Sequence, residues 1–123
     1  MQVVIRNLLN NIIIIMSSKE EVMEQYKAQL QELGEAVDEA LLDWVIDRVG
    51  PANYNDDGKL VACSDGDEKE RVFSAFVGDE LEETDKDKGM AAIEAVCERM
   101  SGVNRKYRAV VYYLLAKEYN YSV

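Results

Sequence analysis

Between Arg99 and Lys117 the chain carries five cations and no acid, although its formal net charge is −10. Arg105, Lys106 and Arg108 crowd the start of an expected helix. A helix N-terminus carries positive partial charge, so each cation there costs about 0.3–1 kcal/mol unless an anion compensates. Two chemistries would supply that anion. Residues 17–98 hold 23 acids against 8 bases, so acids from preceding helices, with Glu94, Glu98 and the 79–87 run as expected sources, could pair with the cluster. Alternatively, a phosphate or carboxylate ligand could bind exposed helix-start amides and two Arg forks. Helical periodicity sets Arg108 at the edge of the apolar face and Arg105 and Lys106 on other sides. That spread favours internal pairs and leaves an anion site at Arg105, Lys106 and Arg108 as the alternative.

A second constellation imitates a metal loop. In residues 50–66, Asn53, Asn55 and Asp57 alternate before Gly58 and Leu60, like the first half of an EF-hand. Calcium chemistry needs a bidentate Glu at the twelfth position, and Ser64 stands there. Asn and Asp hydrogen-bonding their own backbone in a tight turn explain the same residues. The expectation is a turn, with no metal and no cofactor. Histidine is absent, which removes Ser-His and Cys-His catalysis and the commonest metal ligand. The chain is therefore expected not to be an enzyme. Cys63 and Cys97 belong to no CxxC pair, and two buried thiols in a reducing compartment are the expectation, with a disulfide or reactive thiol as the alternative.

These residues must be positioned by helices. Ser18 and Glu21 form a capping-box pattern; Val22, Tyr26, Leu30 and Leu33 then share one face, and Gly34 ends the helix. A second helix is expected over about 36–49, with Val37, Leu41, Trp44 and Val45 inward, closed by Gly50-Pro51. The third, about 67–77, turns Val72, Phe73, Phe76 and Val77 inward. An acidic, solvated connection leads to a fourth, about 86–100, with Met90, Ile93, Cys97 and Met100 inward. Asn104 would cap the fifth, about 105–119, whose Val110–Ala116 stretch is apolar on nearly every side and must be surrounded. The result is an all-α, single-domain bundle of about five helices around the apolar C-terminal helix, residues 17–123. Residues 1–16, MQVVIRNLLNNIIIIM, differ from the rest and read as an extended or mis-called N-terminal segment.

The stretches GPANYNDD and NRKYRAVVYYLLAKEY resemble a family of small bacterial proteins known as domain of unknown function 2853. The likeness runs over residues 17–119 and is most specific in the last helix. It implies a cytoplasmic, all-α protein and brings no established activity. Members often carry His where this chain has Glu118, so a role resting on that imidazole would have no counterpart here.

The function expected from these readings is an acidic, cytoplasmic protein-interaction module. Trp44, Tyr119 and Tyr121 are the candidate partner surface. Nucleic acid and membrane are not expected as partners: a phosphate backbone would be repelled by the acidic surface, and no stretch reads as an ordinary membrane span. Tyr107, Tyr112 and Tyr113, spaced as on a helix, are expected in the core.

Overall fold

The computed structural model describes residues 18–123, so the expectation for residues 1–16 lies outside the described residues. Helix α1 covers residues 18–32 and buries Val22, Tyr26 and Leu30 along one stripe. It stops at Gly34, whose φ of +77° suits a residue without Cβ. The Glu35 amide then donates back to the Leu30 carbonyl at 2.9 Å.

Helix α2, Glu39–Val49, starts later than its apolar spacing predicts. Tyr113 explains the delay. Its hydroxyl donates to the Ala36 carbonyl (3.1 Å) and accepts from the Asp38 amide (2.9 Å), holding that backbone out of a helix. Asp38 then caps α2 by accepting from the Leu41 amide. A 3₁₀ turn, Gly50–Tyr54, follows at Gly50-Pro51.

Helix α3, Gly66–Val72, is capped by Asp65 and passes directly into a π-helical segment, Phe73–Gly78. This corrects the expected α-helix to residue 77. The wider π turn brings Phe73 and Val77, four residues apart, over one point of the next helix. That point is Gly89 of α4, Lys86–Arg99: a Cβ there would lie 2.3 Å from the Phe73 ring and 3.1 Å from Val77. Tertiary packing decides the winding, which periodicity could not show.

Helix α5, Arg108–Glu118, is the centre of the bundle and packs on α2 and α4. Every residue from Ala109 to Ala116 is buried. The bundle therefore has five helices and, among the described residues, no strand. The start of α5 differs from the expectation of an Asn104 cap. Residues 105–107 are not helical; Tyr107 forms an antiparallel bridge with Leu60. The Arg108 amide donates to the Lys59 carbonyl (2.7 Å) and the Val61 amide to the Lys106 carbonyl (2.9 Å). Gln29 adds to this hold, donating to the Arg105 carbonyl and accepting from the Tyr107 amide.

The cysteines correct a further expectation. Cys63 and Cys97 form a disulfide, with Cα atoms 5.8 Å apart. The bond ties the loop before α3 to α4. The expectation from sequence is two buried thiols in a reducing compartment; the cysteines lie 34 residues apart in sequence, and the fold brings that loop onto the Cys97 face of α4.

Candidate functional site

The three cations of the opening cluster stand in three different environments. Arg108 turns inward. Its Nε donates to the Gly58 carbonyl at 2.7 Å, and Nη2 donates to the Leu60 carbonyl at 3.1 Å and forms an ion pair with Glu68. Burial alone would lower the guanidinium pKa, but the Glu68 and Tyr112 hydrogen bonds outweigh it and the net direction is upward. Lys106 donates to the Val103 carbonyl at 2.7 Å. The Arg105 side chain is exposed and makes no ion pair with the described residues. The internal pairing expected for Arg108 holds, but its acid is Glu68 of α3. Glu94 pairs with Lys69 instead. The Arg108 and Tyr107 amides at this turn are taken by the Lys59 carbonyl and the Gln29 side chain.

The Asn53 loop is a structural turn. Asn53 is buried; its Oδ1 accepts from the Tyr26 hydroxyl at 2.8 Å, and its Nδ2 donates to the Ile46 and Gly50 carbonyls, each at 2.8 Å. Asn55 Oδ1 accepts from the Asp57 and Gly58 amides, an Asx turn. These oxygens are occupied by the chain itself. Burial pushes the Tyr26 hydroxyl pKa well up. Beside it, Lys59 donates to Gln25 Oε1 at 2.6 Å, with Nζ 5.4 Å from the Tyr107 ring centroid. Burial lowers the Lys59 pKa, and the Arg105 charge acts in the same direction.

The candidate partner surface is partly assembled. Trp44 and Tyr121 have ring centroids 4.6 Å apart, and Trp44 reaches Phe76 at 6.0 Å. Arg48 lies 4.7 Å above the Trp44 ring and pairs with Glu80 through Nε at 3.2 Å. Tyr119 sits against Glu83 instead, donating to Oε1 at 2.8 Å. That bond is the leading reason the Glu83 pKa is lowered. Desolvation, then the same bond, pushes Tyr119 up to about 12. Tyr119 therefore touches the acidic connection of residues 79–87 directly, and Trp44 reaches it through Arg48.

The connection is largely solvent-exposed, as expected, but its backbone is held in place. The Glu80 and Leu81 amides donate to the Phe76 carbonyl, and the Glu83 amide to that of Val77. Glu82 adopts φ +61°. Asp79, Glu82 and Asp87 remain exposed and form no ion pair with the described residues.

Sequence reading missed Glu68, Arg48 and Arg71. Glu68 follows the Asp65 cap by three residues and precedes Arg71 by three, which marks a helix start and a surface pair rather than the partner of a distant Arg108.

A family model described as a protein of unknown function, DUF2853, matches residues 25–122, from the middle of α1 through α5. Comparison with curated proteins found no match.

Proposed function

We propose that this chain, which belongs to the DUF2853 family, is a non-enzymatic interaction module that docks a basic segment of another protein. The observation that carries this reading is the coupling of a fixed acidic ridge, residues 79–87, to the Trp44–Tyr121 and Tyr119 aromatics through Glu80–Arg48 and Glu83. Asp79, Glu82 and Asp87 would meet cationic side chains, and the half-buried rings would take their apolar stems. A cavity of about 310 Å³ beside Tyr119, bordered by Lys88, Ala92 and Glu118, leaves room for one such side chain. The absence of histidine supports a binding role over catalysis.

Nucleic acid is a poor partner in this reading because the ridge repels phosphates. Among the described residues no helix is long and apolar enough to cross a membrane. The cytoplasm is the proposed location. There the Cys63–Cys97 bond would be a reversible pair, since that compartment keeps thiols reduced.

The test is an NMR titration with a Lys/Arg-rich peptide. The Trp44 indole, Tyr119 and residues 79–87 should shift together. The double variant Asp79→Lys, Glu82→Lys should weaken binding about tenfold, while Asp56→Lys, Asp57→Lys leaves it unchanged. Equal weakening by both variants would reduce the effect to general charge attraction and overturn the reading.

A further inference from the structure

A cavity of about 380 Å³ opens between α2, the Asn53 loop, α3 and the start of α5. Three guanidinium groups from three helices line it: Arg48, Arg71 and Arg108. Their acidic partners are two carboxylates. Glu68 pairs with both Arg71 (3.0 Å) and Arg108, and Glu80 pairs with Arg48. One positive charge is left in excess at this point of an otherwise acidic chain. Glu68 is itself nearly buried, so it is a fixed counter-charge shared by two arginines. The remaining wall is apolar: Val49, Ala52 and Ala75, with Tyr112 stacked on Phe76 behind them.

From this geometry we infer a binding site for a small monocarboxylate with a short apolar body. The head would sit between Arg48 and Arg71, whose planar forks match a carboxylate and which reach the cavity from α2 and α3. The body would lie on Val49, Ala52 and Ala75. A monoanion neutralises the single excess charge, whereas a phosphate monoester brings about −1.5 to −2 and would face Glu68 with the surplus. The volume falls in the range of small-ligand pockets, and the mix of apolar wall with few charged groups is their usual chemistry. Arg108 is committed to two carbonyls and Glu68, so it shapes the site and the ligand is left to the other two. The site shares Arg48 with the contact that links Trp44 to the ridge, whereas Arg71 pairs with Glu68 and takes no part in that link, so Arg71→Gln tests this site separately from the docking reading.

The test uses benzoate as probe, with benzamide as its neutral isostere and phenyl phosphate as the dianionic one. Binding is read from the backbone amides of Ala52 and Ala75 and the arginine Nε–H signals by NMR. Benzoate should give saturable shifts at these positions with a millimolar dissociation constant, and benzamide none. Arg48→Gln and Arg71→Gln should each weaken it about tenfold. Ala75→Asp, which puts a negative charge in the wall, should abolish it. Arg105→Gln, on a different surface, should leave it unchanged. Circular dichroism of each variant confirms an intact fold. Absence of saturable shifts, equal binding of benzamide, tighter binding of phenyl phosphate, or full affinity in folded Arg71→Gln would each overturn the inference.

Discussion

Arg108 and Arg105 stand three residues apart and differ in every consequence. Arg108 and Glu68 have side chains only 14% and 10% exposed. Arg108→Ala would leave two backbone carbonyls without this donor and a nearly buried carboxylate with Arg71 as its remaining partner. We expect a stability loss of about 1–3 kcal/mol by urea denaturation. Arg105→Ala, at an exposed site, should stay within about 0.5 kcal/mol. The Tyr119–Glu83 pair predicts a pH dependence. The Tyr119 hydroxyl titrates at about 12 in the folded chain against an ordinary 10.0, so the folded state holds its proton more tightly. Its contribution is complete below about pH 10 and is lost as pH rises through about 12. Glu83 acts in the opposite sense: its pKa is held below 4.5, so its contribution is present above that value and is lost as pH falls through the lowered one. The melting-temperature gap between the native chain and Tyr119→Phe should be constant between about pH 5 and 10 and shrink on either side. A gap that does not change with pH would sink this linkage.

The π segment and α4 are a matched pair of elements. Gly89 is buried against Phe73 and Val77, and the contact leaves no space for a methyl group. Helix propensity alone predicts that Gly89→Ala stabilises by about 1 kcal/mol. Overpacking should reverse that sign, for a net cost of about 1–3 kcal/mol in thermal denaturation. The Phe73→Leu background should recover most of the loss. Gly102→Ala provides the comparison, because a Cβ there meets nothing within 4 Å. If Gly89→Ala stabilises the chain, the Phe73 ring is free to swing away.

The disulfide bears on the stability of the bundle as a unit. It closes a loop of 34 residues that contains α3, the π segment and the acidic ridge. Chain-entropy reasoning gives such a crosslink about 3–4 kcal/mol, and engineered cases often deliver less. Reduction with a dithiol, or Cys63→Ser, should lower the melting temperature by several degrees while keeping the helical circular dichroism signal. Loss of the helical signal on reduction would mean that α5 packing cannot hold the bundle alone. Unchanged melting would mean that the crosslink joins parts already held by other contacts.

What the sequence by itself determined is the class of fold and its centre. Apolar spacing at three and four residues specifies a helical face wherever it repeats, and Val110–Ala116 has no polar side, so that helix had to be surrounded. Gly34 ends α1 where the sequence placed the stop because that need is local, whereas the caps at Asp38, Asp65 and Asp85 were not singled out among so many acids. Tertiary structure decided the remainder. The start of α5 moved from 105 to 108 because Lys59 and Gln29, distant in sequence, bond its leading backbone. The π winding depends on Gly89, and the late start of α2 on Tyr113. Cys63 meets Cys97, and Glu68 meets Arg108, only after the 50–66 loop folds over the bundle. Trp44 and Tyr119 were legible as candidate surface aromatics, but the link of Trp44 to Glu80 through Arg48 and the bond of Tyr119 to Glu83 were not. A pairing between groups 30 or more residues apart leaves no periodic trace in a single chain, because it is set by how helices pack and not by any local preference.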